Sequence, residues 1–225
     1  TLFLTQEFYS VNVSILNTTS YRNYGISGAN FNFLVMVGAV PSQIVLQGAR
    51  SISGISGTAG GGLIYTLASN DNDTCILANR SAELKILDAT FINNTAANYG
   101  SAAYIEVRNS IAQNCFYGLN VRCISSVVTN HSNGYGVFFV NNTQERGPGV
   151  KVQMDNTFFV SNNNLFRLYR SEASVSRSIF TRNAVTGVQI YSSNVTLESC
   201  HFFYNSGEGS ISAQGSYLQV WNSTF

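Results

Sequence analysis

Short alternations of apolar and polar residues run along the chain, separated by turn clusters of Gly, Asn and Ser. AAYIEV (102–107), GLNVRC (118–123), GVFFV (136–140), LFRLYR (165–170), GVQIYS (187–192) and GSISA (209–213) have the period of half-buried strands. VKVQM (150–154), ASVSRS (173–178), NVTLES (194–199) and YLQVWNS (217–223) predict a second set. A third strand opens on an apolar residue with Asn three positions later: FINN (91–94), IAQN (111–114), VVTN (127–130), FVSN (159–162), FTRN (180–183) and FFYN (202–205). The spacings of Asn94, Asn114, Asn130, Asn162, Asn183 and Asn205 are 20, 16, 32, 21 and 22. A period near 21 signals a solenoid, and the loop NNTQERGPG (141–149) accounts for the long unit. Three short strands per period without a helical pattern predict an all-β fold. The expectation is a right-handed parallel β-helix of about nine or ten coils of roughly 21–22 residues.

In such a fold the same residue recurs above itself. Phe91, Phe159, Phe180 and Phe202 should form a buried aromatic stack. The six repeat asparagines should form a structural column, tolerating a left-handed corner and bonding amide to amide. Asn130 then belongs to that buried column, while Asn93, one place ahead of it, is exposed. The first eighty residues are less regular. SVNVSIL (10–16), ANFNFLVMVG (29–38), SQIVLQG (42–48), SISGIS (51–56) and GGGLIYTLAS (60–69) read as strands of the same helix with longer corners. A β-sandwich front domain is the alternative. LKIL (84–87) leads straight into the coil at 91. Residues 1–225 are therefore assigned to one domain, with irregular coils over 1–83 and regular coils over 84–225. Open strand edges at both ends need a cover. The chain is expected to be a segment of a longer one, with other segments or copies of the same surface protein as its partners.

Charge narrows the function classes. Twelve basic and eleven acidic residues, 10% charged in all, exclude the basic stripe of a nucleic-acid binder. A hydrophobic content of 44%, with 15 Phe and 12 Tyr, excludes disorder. The apolar centre Phe31–Val40 is closed by Pro41 and is shorter than the ~20 residues of a spanning helix, so membrane insertion is not expected. Nine N-x-S/T sequons exceed the roughly five that composition alone would produce. They predict an extracellular or cell-surface glycoprotein. The candidate glycan sites are Asn12, Asn17, Asn72, Asn79, Asn93, Asn141, Asn194 and Asn222; Asn130 is set aside as part of the column. The competing reading is that an Asn-, Ser- and Thr-rich β protein makes sequons by chance. Cys115 and Cys123 are close enough in sequence to close a small disulfide loop. Buried reduced thiols are the alternative for these two and for Cys75 and Cys200.

F-x-x-N followed by G-x-[AVIL], here in YGSAAY, GYGV, TGVQI, EGSIS and GGGLIY, resembles the repeats of the chlamydial polymorphic outer-membrane proteins. The resemblance covers residues 84–225 well and 1–83 weakly. It implies a surface-displayed, adhesive or structural β-helix. The wider pectin-lyase-like superfamily shares the architecture and includes polysaccharide lyases and hydrolases.

Catalytic chemistry is thin by comparison. The N-T-D, D-D, G-H-G and R-I-K motifs of polygalacturonase-like β-helices do not occur. Asp71 and Asp73 in SNDNDT are weak candidates for calcium, against the simpler reading of an acidic turn. Asp88, three before Phe91, lines up with Arg108, three before Ile111, and predicts a surface ion pair between adjacent coils. His131 and His201 fall at different coil positions. Arg167, Arg170, Arg177 and Arg182 form a basic cluster that could meet an anionic glycan. Tyr169, Tyr191 and Trp221 are aromatics of which alternation must turn some outward, where they could stack on sugars. No cofactor is implied. The expectation is a non-catalytic extracellular structural or adhesive module of a larger surface glycoprotein or filament. A polysaccharide-binding or polysaccharide-cleaving β-helix is the alternative, and glycans are a further candidate partner.

Overall fold

The computed structural model describes residues 2–6, 12–26, 30–36, 42–68, 80–108, 117–132, 136–143, 149–163, 166–184, 188–206 and 211–225. The chain winds through successive coils. The first carries β1 (Leu2–Gln6), β2 (Asn12–Leu16), β3 (Thr19–Tyr21) and β4 (Tyr24–Gly25). The second carries β5 (Phe31–Met36), β6 (Gln43–Gln47), β7 (Arg50–Ile52) and β8 (Ile55–Ser56). The third carries β9 (Leu63–Ala68), β10 (Arg80–Leu87), β11 (Thr90–Ile92) and β12 (Thr95–Ala96). The fourth has β13 (Ala103–Val107), β14 (Tyr117–Ile124) and β15 (Val127–Thr129); the fifth has β16 (Phe138–Asn142), β17 (Val150–Asp155) and β18 (Phe158–Val160). The sixth has β19 (Phe166–Tyr169), β20 (Ser171–Ser176) and β21 (Ile179–Thr181); the seventh has β22 (Val188–Tyr191), β23 (Asn194–Glu198) and β24 (His201–Phe203). β25 (Ile211–Gln214) and β26 (Tyr217–Trp221) begin the eighth, which closes on a bridge from Thr224 to His201.

Each strand pairs in parallel with the equivalent strand of the next coil. Three long sheets result. Face A runs from β1 to β25 and face B from β2 to β26, with eight strands each; face C, from β3 to β24, has seven. A three-stranded sheet of β4, β8 and β12 widens the early corner. Strands of residues 2–68 thus share their sheets with the later strands, as a parallel β-helix requires and a sandwich does not.

The described residues hold eight coils, not nine or ten. On face B, Val13, Ile44, Leu84, Val121, Val152, Ala173, Val195 and Leu218 lie above one another. From one coil to the next the numbering rises by 31, 40, 37, 31, 21, 22 and then 23, so a period near 21 describes only the last three steps. The same long corners move GLNVRC into face B as part of β14, beneath VKVQM, rather than into the set of AAYIEV.

Two registers need correction for the same reason. Phe91 pairs with Val128, so the residue equivalent to Asn94 is His131 and not Asn130. Asn130 precedes the column, is exposed, and has φ 59°, as Asn93 has φ 52°. The left-handed corner therefore falls one residue before the column. Asp88, three before Phe91, aligns with Ser125, three before Val128, and not with Arg108. The Arg108 Nε instead donates to Glu106 Oε2 at 2.8 Å.

The core is a set of columns. Phe159 and Phe180 are 5.0 Å apart and parallel within 4°; Phe180 and Phe202 are 4.5 Å apart within 3°, and Phe225 continues the stack at 5.0 Å. Phe91 is buried in the same column but is cut off from the stack by Val128. Beside it runs the amide ladder. Asn183 Nδ2 donates to Asn205 Oδ1 (2.9 Å) and to the Phe159 carbonyl (3.2 Å), while the Asn162 backbone N–H donates to Asn183 Oδ1 (3.0 Å). Asn162 and Asn205 repeat the pattern. Hydroxyl ladders line the other two corners: Thr157 N–H donates to Ser178 Oγ, and Ser171 N–H to Ser193 Oγ. Buried backbone donors at the turns are thereby satisfied coil by coil.

Candidate functional site

Face A positions the outward chemistry. Alternation along each strand sends Ala103, Ile105, Phe138, Val140, Phe166 and Leu168 into the core. The intervening side chains stand outside in two registered columns. One holds Tyr104, Phe139, Arg167 and Gln189; the other holds Glu106, Asn141, Tyr169 and Tyr191. Parallel strands about 4.8 Å apart bring these groups into contact.

A continuous row of π contacts follows. Tyr99 and Tyr104 stack at 6.0 Å, Tyr104 and Phe139 at 5.6 Å, and Tyr99 meets Phe139 at 5.1 Å. The Arg167 guanidinium lies over Phe139 at 5.8 Å and over Tyr191 at 5.1 Å, and Arg167 Nη2 donates to Tyr191 Oη at 3.3 Å. Tyr169 stacks on Tyr191 at 5.0 Å. Phe139 is only 5% exposed and anchors the row, whereas Tyr99 at 40% and Tyr169 at 37% are its exposed members. Polar groups fringe the rings. Glu106 is held by Arg108, and Asn141 Nδ2 lies 3.5 Å from Tyr104 Oη as its donor. Burial pushes the Tyr104 phenol up to about 12, so it remains a neutral hydroxyl at physiological pH. From Tyr104 to Tyr191 the row crosses three strand spacings, about 14 Å.

Face B is different. A shallow groove of about 650 Å³ follows the outer side of β14, β17, β20 and β23, with Tyr217 at one end. Its Lys151 and Glu172 pair with each other at 3.6 Å, and its Arg122 reaches Glu83 at 3.4 Å. Burial works to raise the Glu83 carboxyl, but bonds from Gln43 and Lys85 and the charge of Arg122 hold it below the ordinary range. Glu172 is the one carboxylate lining this groove among the described residues. Glycoside hydrolysis ordinarily needs two.

The other sequence candidates fall apart from one another. The four arginines of residues 167–182 are distributed around one coil and form no patch. Arg167 is on face A, Arg170 and Arg182 occupy left-handed corners, and Arg177 caps Asp155 through Nε at 2.8 Å. That contact first holds the Asp155 carboxyl below its ordinary range; burial opposes it, and the Ser176 hydroxyl adds to the lowering. Tyr169 and Tyr191 do point outward on face A, but Trp221, exposed, lies on face B. His131 is in the core and His201 is exposed on face C, with Nδ1 2.8 Å from Thr224 Oγ1. Cys123 and Cys200 are buried free thiols. Asp71, Asp73, Asn72, Asn79, Cys75, Cys115 and Asn114 lie outside the described residues. Of the sequon asparagines within them, Asn12, Asn17, Asn93, Asn130, Asn194 and Asn222 are exposed and Asn141 is half-buried.

Tyr104 and Phe139 are not apparent as a pair in the sequence. Their outward parity is visible in AAYIEV and GVFFV, but their contact depends on a step between coils that is much longer than the repeat period.

Parallel coils, stacked core columns and left-handed corners define a parallel β-helix. The family described as the right handed beta helix region matches residues 74–225, and the chain belongs to that family. The match carries the architecture and its hand; it does not single out the chlamydial outer-membrane proteins. No curated protein and no solved structure matches the chain.

Proposed function

We propose that the chain is a non-catalytic structural or adhesive β-helix module of an extracellular surface protein, and that it touches saccharides through the aromatic row of face A. The observation that carries the reading is the run of π contacts from Tyr99 to Tyr169 on an outer sheet face. Sugars present apolar C–H faces and hydroxyl edges. Flat rings fringed by an amide and a guanidinium complement both. The module's stiffness comes from ladders that continue from coil to coil. Glycans, and neighbouring segments or copies of the surface protein, are its partners in this reading. Exposed sequons at the coil corners fit display outside the cell.

Cleavage is the weaker reading. Among the described residues Glu83, Glu106, Asp155 and Glu172 are each held in an ion pair. A saccharide array probed with the native chain and with Tyr104→Ala and Tyr169→Ala variants tests the proposal. Each stacked ring contributes ~0.5–1.5 kcal/mol beyond area burial. Each variant should therefore lose roughly two- to tenfold in affinity. Binding unchanged in both variants rejects the row as the contact surface.

A further inference from the structure

One sequon lies inside the row. Asn141-Asn142-Thr143 spans the end of β16. Asn142 turns inward and donates to the Arg170 carbonyl at 2.8 Å, so Asn141, like Phe139, faces outward. Asn141 stands between Glu106 and Tyr169 in its column and touches Tyr104 diagonally. The other described sequons sit elsewhere: Asn17, Asn93, Asn130 and Asn222 are at left-handed corners, and Asn12 and Asn194 are on face B. Asn194 also has a ring beside it, the exposed Tyr217 of the next coil on face B, but Asn141 is the described sequon asparagine that lies inside the aromatic row of face A.

We infer that Asn141 carries an N-linked glycan whose first sugars lie across the aromatic row, so that the glycosylated form is its own ligand and the unglycosylated form takes an external saccharide. The inference rests on the reading of the row as a saccharide contact. In the transfer, the C1–O bond of a lipid-pyrophosphate-linked oligosaccharide breaks and a C1–Nδ2 bond forms. The amide gives up one proton, and the lipid pyrophosphate leaves with the electron pair. The remaining Nδ2 hydrogen can still be donated to Tyr104 Oη. Tyr104 and Tyr169 lie on the two coils flanking Asn141. Tyr169 is in direct register with Asn141, one strand spacing or about 4.8 Å away, and Tyr104, a diagonal neighbour, brings its hydroxyl to 3.5 Å from Nδ2, so the first sugar reaches a ring with no further chain movement. A ligand on so short a tether has an effective concentration on the order of millimolar. A free monovalent sugar that binds in the same range is then outcompeted. Thr143, exposed, supplies the sequon hydroxyl and also donates to the Val107 carbonyl at 2.9 Å.

The test uses the chain secreted from a eukaryotic host, with glycopeptide mass spectrometry at every sequon and titration with the β-1,4-linked trimer of N-acetylglucosamine. Thr143→Ala and Asn141→Gln each remove the sequon, the second without touching the Val107 bond. Thr143→Ser keeps both the sequon and the hydroxyl. The expected result is a glycan on Asn141 and about twofold or more tighter trimer binding in the two sequon-free variants than in the native chain, since a tethered competitor at a concentration equal to the Kd doubles the apparent Kd. Thr143→Ser should behave as the native chain, and Tyr169→Ala should abolish the gain. Equal binding in all forms overturns the inference and leaves the contact reading standing, as does an empty Asn141 beside occupied Asn93 or Asn194. A chain with no glycan on any sequon and no trimer binding in any form overturns both.

Discussion

At the residue scale the fold rests on side chains that replace missing backbone partners. The amide ladder shows how strictly. Gly54 stands where the second coil should supply an asparagine, and an added Cβ there would collide with the Gly61 carbonyl oxygen. Asn30 reaches in from the preceding turn instead, bonding Ser51 Oγ at 2.7 Å and Asn94 Oδ1 at 3.2 Å. Its role was illegible in the sequence because Asn30 follows no F-x-x-N. His131 is the other irregular rung. Its Nδ1 and Nε2 lie 3.1 Å from the carbonyl oxygens of Asn94 and Phe91. A neutral ring donates through only one nitrogen and leaves the other lone pair against an oxygen. Burial dominates the two carbonyls and holds the imidazole at about 4, against an ordinary 6.5. The unfolded chain therefore takes up this proton first as pH falls. Stability attributable to His131 is complete above pH 6.5 and declines toward pH 4, by about 3 kcal/mol at the limit. His131→Asn should restore the rung and remove that decline. Urea melts at pH 7 and pH 5 should show the variant gaining more stability at pH 5; an equal shift at both contradicts the assignment. Asn183→Ala removes a donor from the Phe159 carbonyl and an acceptor from the Asn162 N–H, and should cost about 2–3 kcal/mol in the same assay.

At the element scale each strand is too short to persist alone, and the corners set its register. Asn17, Gly48, Asp88, Ser125, Asn156, Arg177, Ser199 and Asn222 mark the B–C corner of successive coils, all with positive φ. Such a backbone costs an ordinary L-residue roughly 1–2 kcal/mol, least for Gly and Asn. Ser161, at φ 54° after β18, tests this. In thermal melts Ser161→Val should lower stability by about 1–2 kcal/mol. Ser161→Gly, free of that strain, should stay close to the native chain. Equal losses in the two variants would contradict the role of the corner. The strands themselves were legible from alternation. Their stacking order was clear only where coils are tight, from Phe159 onward, because there Phe-x-x-Asn recurs at a nearly constant step through Phe180 and Phe202. Earlier, Val128 and His131 replace the Phe and the Asn, and the long corners hide the register. A repeat read through VVTN therefore falls one residue out of place, and the coil count comes out high. Cys200 shows the same masking. It fills a Ser/Thr position, with Sγ 3.5 Å from the Glu198 carbonyl where Ser178 Oγ bonds Ser176.

At the scale of the whole molecule the three outer faces differ because the inner faces do not. Inward strand positions are apolar on most coils, Ser51 beside Phe91 being an exception, which leaves composition free to vary outside. Face B carries paired charges, and face A gathers its aromatics over four consecutive coils. The Tyr169–Tyr191 pair was within reach of the sequence, since both follow tight corners. The joining of Tyr104 and Phe139 to it through Arg167 was not. With a net charge of +1, the molecule has little long-range field to steer a ligand. Saccharide affinity on the row should therefore change less than about twofold between roughly 50 and 500 mM salt, since stacking and hydrogen bonds carry it. A steep decline measured by titration would assign binding to the charged groups instead.

A rod that holds saccharide without cutting it leaves a distinct trace in solution. Polysaccharides incubated with the chain, Asn141 being left unglycosylated, can be separated by size and followed by light scattering. The polymer peak should gain the mass of bound protein at unchanged polymer length, and should lose that gain with Tyr169→Ala. A polymer whose mass falls during incubation, or one that never gains mass from the protein, would contradict a holding, non-cutting rod.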